Sequence, residues 1–290
     1  AAIFACELSK KEKNDKVFFV TFAAVIMLPT VILNSAYWGQ CDSIYTTFII
    51  LTLLYLYREK YHRAFMFLGI AFAFKMQTIF IFPFIICFYI YKKQFSIFEL
   101  LITVFTFWIS GIGAFVQGRS LLDPFRIYAN QTGTYQYMHV NFPSFWMFVG
   151  NDYEWLKTAA IVMAAGICGM GLYIIMKRKL DCSRPENFVS IASWFIWTCV
   201  LFLPAMHERY AYPLEILLVI LTCINKDYLK YSSVAILFSL FTYGNYLFSN
   251  GGLDKYIVII YAGCYLHFTY TILKKNSKAA TVTDKEMQNE

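Results

Sequence analysis

Charge is scarce in this sequence of 290 residues: Asp, Glu, Lys and Arg make up 15% of it, while 59% is hydrophobic. A water-soluble domain carries about 25% charged residues, so the composition excludes an ordinary soluble globule. Apolar runs of about 15–20 residues, separated by short charged clusters, predict an all-α, polytopic transmembrane helical bundle instead. The net charge of +7 is then expected to lie in cytoplasmic loops, and it does not indicate a nucleic-acid partner.

Several sequence motifs of known chemistry are also missing. The chain has no P-loop, no GxGxxG and no HExxH pattern, so nucleotide-driven transport and metalloprotease chemistry have no support. Its eight cysteines are scattered and form no CxxC pair or Cys/His cluster, which favours small apolar side chains over metal ligands. We therefore expect no metal and no cofactor.

Nine apolar segments predict the membrane-embedded helices. One of them, 64–91, is long for a single helix, and both of its ends are basic, so the positive-inside rule assigns both ends to the cytoplasm. Two shorter helices, 64–74 and 78–91, that meet at Lys75-Met76-Gln77 resolve this conflict and bring the total to about ten. The nine segments are 17–34, 43–57, 64–91, 98–117, 158–176, 188–204, 211–225, 232–249 and 256–273.

The distribution of positive charge supports one orientation. Only six of the 25 Lys and Arg residues lie outside the predicted cytoplasmic connections. Residues 38–42, the break at 75–77, the long loop 118–157 and residues 206–210 are then all expected on the extracytoplasmic face. The six exceptions are Lys75, Arg119, Arg126, Lys157, Arg209 and Lys255.

The ends of the chain complete the predicted organisation. A transmembrane domain is expected over 1–276, followed by a disordered cytoplasmic tail over 277–290. The first residues, "AAIFAC", read like the end of an earlier span, so we expect the natural N-terminus to lie further upstream.

The stretch "NSAYWGQCDSIY" (34–45) presents a carboxylate, an amide and an aromatic edge at Asp42, Gln40 and Trp38. These groups suit sugar hydroxyls or a partner cation. An alternative is that Asp42 caps the following helix, with Trp38 as a membrane-interface residue.

Lys75 and Gln77 form a second candidate group. A lysine is costly at membrane depth, so its ammonium is expected to pair with a phosphate or with Asp42 in a cavity. The alternative is a side chain that extends to the outer interface.

The turn "MHERY" contains the densest cluster of ionisable groups, His207, Glu208 and Arg209. Pro204 is expected to end the preceding helix, and Pro213 fits the first turn of the next. Arg209 suits a phosphate through its two-pronged guanidinium, while Glu208 or His207 orients it or handles a proton. A self-contained Glu–Arg pair is the structural alternative.

The loop 118–157 is the one long polar connection and is rich in aromatic residues. Loops of this length are usually functional when ordered, and aromatic side chains beside Asn and Gln suit a sugar or a lipid headgroup. Part of it, around "NFPSFWMFVG", alternatively forms an amphipathic helix on the outer leaflet. "NQT" at 130–132 matches a glycosylation acceptor.

Three of these stretches, "NSAYWGQCDSIYTTF", "GIAFAFKMQTIFIFPF" and "FLPAMHERYAYPLEIL", together resemble recurrent segments of GT-C type membrane glycosyltransferases. The most similar group is that of bacterial mannosyltransferases related to the enzyme that adds the second mannose of glycosylphosphatidylinositol. The resemblance covers about residues 17–225. It implies transfer of a sugar, with mannose expected, from a polyprenyl-phosphate donor to a glycan, lipid or protein acceptor on the extracytoplasmic face.

The resemblance also implies roles for residues. Arg209 and Lys75 are expected to hold the donor phosphate, His207 and Glu208 to position Arg209, and Trp38, Gln40, Asp42 and Gln77 to line the sugar or acceptor site. The family's acidic base lies in a first external loop, which we expect upstream of Ala1, so the catalytic base is unassigned.

The membrane would be the bacterial plasma membrane, or the endoplasmic reticulum membrane of a eukaryote. A secondary transporter, a polymerase or ligase of lipid-linked polysaccharide, and a scaffold subunit are the competing interpretations.

Overall fold

The computed structural model describes residues 1–9, 15–131, 134–248 and 255–287. Within these residues the chain forms fourteen α-helices and one short parallel β-pair, and 78% of it is helical. The all-α prediction is therefore confirmed. The helices are α1 Ala2–Leu8, α2 Asp15–Ile26, α3 Pro29–Val31, α4 Asp42–Tyr57, α5 Tyr61–Phe74, α6 Phe82–Lys92, α7 Glu99–Ile109, α8 Ile112–Val116, α9 Asp123–Gln131, α10 Tyr153–Lys177, α11 Pro185–Phe202, α12 Tyr212–Ile224, α13 Leu229–Phe248 and α14 Lys255–Met287.

The centre of the fold is the antiparallel hairpin of α11 and α12. Nearly every side chain of both helices is buried, from 187 to 201 and from 212 to 221. A helix that is apolar on all sides lies either among other helices or in lipid. Here α10 and α14 pack on α11, while α2, α4 and α13 pack on α12.

The number of spanning helices is a correction to the sequence analysis. Among the described residues two helices are long and apolar enough to cross a membrane, Tyr153–Lys177 and Lys255–Lys275. A third span results if Lys16–Ile26 and Pro29–Tyr37, bent by 47°, count as one. About ten were expected. The long apolar helices are compatible with a membrane protein, and the multi-pass arrangement stays a prediction.

The reason for this difference is helix length. Apolar helices such as α4, α5, α7 and α12 contain 16, 14, 11 and 13 residues. At 1.5 Å per residue they are about 16–24 Å long, which is short of a hydrocarbon core of about 30 Å. The predicted segments 43–57, 64–74 and 211–225 match α4, α5 and α12 closely, so the prediction was wrong in counting such short helices as spans.

Two irregular segments interrupt the apolar runs. The predicted break at Lys75 is present: α5 ends at Phe74, Lys75 is extended, and a 3₁₀ turn covers Met76–Ile81 before α6 begins. A second break lies between α2 and α3, where Pro29 cannot donate a helical hydrogen bond. It leads into a π-helical turn at Ile32–Tyr37.

The C-terminal prediction is not tested. Helix α14 runs to Met287, and 288–290 lie outside the described residues. The cytoplasmic tail at 277–290 therefore stays a prediction.

Candidate functional site

The carboxylate of Asp42, at the first residue of α4, is completely buried. One of its oxygens pairs with the ammonium of Lys75. The other accepts a hydrogen bond from Asn34 Nδ2 at 2.9 Å and lies 3.8 Å from Arg209 Nε. The cap position of α4 belongs to Cys41, and no side chain caps it. The capping interpretation of Asp42 was therefore wrong, because its oxygens bind side chains from three other segments.

Lys75 lies at the break between α5 and the 3₁₀ turn that follows. Its side chain is 12% exposed and ion-paired with Asp42, so it does not extend to a membrane surface. The ammonium also lies 5.4 Å and 5.6 Å from the ring centres of Tyr45 and Tyr210. The extended backbone of Lys75 directs its ammonium inward, toward the start of α4.

The turn that carries His207, Glu208 and Arg209 has the boundaries expected from its prolines. α11 ends at Phe202, and Pro213 lies in the first turn of α12. Glu208 is fully buried and accepts a hydrogen bond of 2.6 Å from Arg209 Nη1, while His207 Nδ1 lies 3.7 Å from its other oxygen.

Arg209 links this turn to the first segment of the site. Its guanidinium carbon lies 5.0 Å from the ring centre of Trp38, and its Nε faces Asp42. The Glu208–Arg209 pair is thus one part of a larger cluster and not a self-contained anchor.

The long loop is bound to the same turn. A parallel β-pair, β1 His139–Val140 with β2 Met206–His207, joins them, and the ring centre of Tyr135 is 4.4 Å from that of His207. In the stretch 141–150 the structure has a single 3₁₀ turn, Phe145–Phe148. Trp146 in this turn is buried, and its indole N–H donates a hydrogen bond to the carbonyl of Phe202. The amphipathic helix predicted there was wrong, and a helix forms upstream, at α9.

Gln40 and Gln77 are half-buried, and no side-chain hydrogen bond is recorded for either within the described part of the chain. No side-chain contact therefore supports the predicted binding role of these two glutamines. The glycosylation match ends at Thr132, outside the described residues. In the described ranges no group of three or more His, Cys, Asp or Glu side chains could hold a metal ion.

Two residues that contact this cluster, Asn34 and Tyr243, were not identified from the sequence. Asn34 is buried on the π-helical turn and donates to Asp42, and its amide also lies 3.3 Å from the hydroxyl of Tyr243, on α13. Asn34 stands in the quoted motif, eight residues before Asp42, so its spacing was a usable signal. Tyr243 is 209 residues from Asn34 along the chain, and no sequence pattern indicated their contact.

Glu215 of α12, about two turns after Glu208, is also fully buried. The hydroxyls of Thr30 and Ser239 lie beside its carboxyl group, yet neither of its oxygens has a partner within hydrogen-bonding distance. A buried carboxyl group without partners is costly, so Glu215 is a destabilising polar group near the site.

The electrostatics of the cluster formed by Asp42, Lys75, Glu208 and Arg209 are balanced, with two carboxylates facing two cations. Some polar atoms still have no partner, namely Glu208 Oε2, His207 Nε2 and Arg209 Nε. Native proteins leave few such atoms, so they are available to a ligand: Arg209 Nε to donate a hydrogen bond and Glu208 Oε2 to accept one. Burial raises the pKa of Tyr210 to about 12, which keeps this neighbouring phenol a neutral donor.

No protein-family model, no curated protein and no solved structure matches this chain.

Proposed function

We propose that this protein is a multi-pass membrane glycosyltransferase that moves a sugar, with mannose the expected one, from a polyprenyl-phosphate donor to a glycan, lipid or protein acceptor on the extracytoplasmic face. The membrane is a bacterial plasma membrane, or that of the endoplasmic reticulum in a eukaryote. The lipid-phosphate sugar is a substrate, and neither a cofactor nor a nucleic acid takes part.

One observation carries the proposal. The three stretches that resemble GT-C glycosyltransferases are far apart in sequence, yet one charged residue of each, Asp42, Lys75 and Arg209, belongs to a single buried cluster. Burying two ion pairs is expensive and is often no gain over apolar packing. A cluster of this kind, in contact with an aromatic-rich loop, favours a substrate site over a structural joint.

The proposed chemistry follows from the charges. A phosphate leaving group accumulates negative charge as the glycosidic bond breaks, and preorganised cations stabilise that charge best in a water-poor site. Arg209 and Lys75 are the available cations. Because both are already paired with carboxylates, the donor phosphate has to compete with Asp42 and Glu208 for them.

This competition revises the roles of the neighbours. Asp42 and Glu208 hold the two cations in place before the donor binds, and His207 orients Glu208 from the other side. Trp38, Gln40 and Gln77 remain the proposed contacts for the sugar or acceptor. The catalytic base stays unassigned.

The decisive assay supplies polyprenyl-phosphate-mannose, labelled in the sugar, to membranes that contain the protein and measures its release and transfer. Arg209→Ala is expected to abolish turnover. Arg209→Lys keeps the charge but loses the guanidinium fork, so it should lower kcat while the protein stays folded. Lys275→Gln, in an ion pair with Glu186, is the matched control, and turnover unaffected by both Arg209 changes would exclude the role of this turn.

A secondary transporter is the second candidate, because the chain has two discontinuous regions. Besides the break at Lys75, the bend between α2 and α3 runs into the π-helical turn that carries Asn34. Paired broken helices form the substrate sites of many transporters, and the sequence had suggested only one. Uptake of a labelled sugar or sugar phosphate into sealed vesicles, without covalent transfer, would favour this candidate. A polysaccharide polymerase or ligase would instead lengthen a lipid-linked glycan in the first assay.

A further inference from the structure

A cavity of about 690 Å³ lies between the end of α7 and helices α8 and α9, and Ala73 near the end of α5 also lines it. Its walls include the aromatic rings of Phe107, Phe115 and Tyr128 and two arginines, Arg119 and Arg126. Aromatic contacts hold the walls together, since Phe107 packs on Tyr128 with ring centres 5.2 Å apart. The hydroxyl of Tyr128 also donates a hydrogen bond to the carbonyl of Phe72, near the end of α5.

The charge of this cavity is positive. Asp123 is its one acidic lining residue, and it lies 3.6 Å from Arg126 at the start of α9. Within the described residues, no carboxylate pairs with Arg119. The lining therefore has one uncompensated guanidinium, and Arg126, whose side chain is 63% exposed, lines the same cavity.

The surface around the cavity is apolar and uncovered. Val116 is 82% exposed, and five other large apolar side chains on this segment are more than two-fifths exposed. Exposed patches of this kind mark contact surfaces, and apolar side chains interspersed with arginine are typical of segments that lie in a membrane interface. The five are Ile112, Leu121, Leu122, Phe125 and Ile127.

The neighbouring helix extends this surface. Leu101, Val104 and Phe105 of α7 are also exposed, so the apolar face continues from the helix into the α8–α9 segment. Trp108, near the end of α7, donates its indole N–H to the carbonyl of Leu121 at 2.9 Å. Tryptophan concentrates at the headgroup level of bilayers, so a bilayer that surrounds Trp108 at this level would have its lipid phosphates near this segment.

We propose that this cavity binds the phosphate of an anionic phospholipid in the outer leaflet, with the acyl chains along the exposed apolar side chains. Arg119 and Arg126 donate charge-assisted hydrogen bonds to the phosphate oxygens. Charge complementarity selects this ligand over a neutral lipid, and the continuous apolar face selects it over a soluble anion. None of the lining residues belongs to the Asp42 cluster, and the proposal does not depend on the proposed reaction. The choice of leaflet rests on the predicted orientation.

Binding can be measured in nanodiscs of phosphatidylcholine that contain the full chain, titrated with fluorescent phosphatidylglycerol. We expect saturable binding that weakens about tenfold in Arg119→Gln and again in Arg126→Gln, since a hydrogen bond to a charged group has roughly this value. Lys157→Gln is the matched control, because Lys157 is also an exposed cation expected on the outer face and is paired with Glu154. Thermal unfolding of each variant checks that these surface changes leave the fold intact.

Competing ligands test the choice of lipid. Inorganic phosphate at millimolar concentration should not displace phosphatidylglycerol. Equal binding by the arginine variants and the wild type, or an equal loss in Lys157→Gln, would refute the site. Displacement by polyprenyl phosphate at much lower concentration than by unlabelled phosphatidylglycerol would overturn the assignment to a phospholipid.

Discussion

The two ends of the α11–α12 hairpin carry two different charged clusters. At one end Glu208 and Arg209 join Asp42 and Lys75, and both carboxylates are fully buried. At the other end Glu186 accepts hydrogen bonds from Tyr228 and Asn225 and pairs with Lys275 at 2.7 Å, and about a third of both charged side chains is exposed. α11 has 18 residues, so its ends are about 27 Å apart, close to the thickness of a hydrocarbon core.

The two clusters differ in burial and also in whether all of their buried polar atoms have hydrogen-bond partners. None of the side chains just named around Glu186 has a buried atom without a partner, whereas Glu208, His207 and Arg209 each have one. An exposed, fully bonded network joins α11, α12 and α14 and needs no ligand to explain it. The buried and incompletely bonded network is the one that a substrate would complete.

The first prediction concerns the sides of the membrane. If the hairpin crosses the bilayer, Tyr135→Cys near the Asp42 cluster and Arg184→Cys near the Glu186 cluster should react with a membrane-impermeant thiol reagent from opposite sides. Each introduced cysteine should be labelled from one side of the membrane and not from the other. The unaltered chain measures the background from its eight native cysteines. Labelling of both positions from the same side would show that the two clusters do not lie on opposite sides of the membrane.

Asp42→Ala should produce the largest loss of stability. It leaves Lys75 and Arg209 without their shared carboxylate, and an unpaired buried charge costs about 3–5 kcal/mol. Chemical denaturation in detergent micelles would measure the free energy of unfolding. Added salt should change the result little, since buried pairs are weakly screened. A loss no larger than that of Glu186→Gln would contradict the assignment of Asp42 as the central anion.

Trp38→Leu should have an intermediate effect. It removes the aromatic face under the Arg209 guanidinium, a contact that contributes about 1–2 kcal/mol when partly desolvated. Trp38→Phe keeps a ring and should retain part of this stability. The same unfolding measurement applies, and a Phe variant as unstable as the Leu variant would indicate that packing against Tyr243 and Tyr246 matters more than the cation.

Glu186→Gln should have the smallest effect. Partly exposed ion pairs contribute up to about 1 kcal/mol. The glutamine oxygen still accepts the hydrogen bond from Asn225, and its NH2 group can donate to the hydroxyl of Tyr228, which then acts as the acceptor. High salt should remove most of the difference, because solvent screens this pair. Sugar transfer should be unchanged. A large, salt-independent loss would mean that this end of the hairpin is as constrained as the other.

Local signals explain the parts that sequence reasoning predicted correctly. Lys75 in an apolar run marks a break in the helix, and Pro204 and Pro213 bracket the turn between α11 and α12, because each acts through its own neighbours in the chain. The number of spanning helices was overestimated for a different reason. Segments such as 43–57 and 211–225 were counted as spans because they are apolar, although the helices that form there, α4 and α12, contain only 16 and 13 residues.

The partners of the charges could not be predicted in the same way. Lys75 and Asp42 are 33 residues apart, and Asn34 and Tyr243 are 209 apart, so their contacts depend on how whole helices pack. The sequence allowed Asp42 to be a helix cap, a cation partner or a ligand for sugar. The approach of three segments to one carboxylate excluded the first and established the second.

Composition and local pattern alone determined that this chain is helical, apolar and broken at Lys75, because those properties follow from each residue and its near neighbours. Tertiary structure decided which apolar runs are long enough to cross a bilayer, which cations are neutralised, and which polar atoms are left for a ligand. The physical reason is that ion pairs and buried hydrogen bonds depend on distances of a few ångströms between atoms that the sequence keeps far apart.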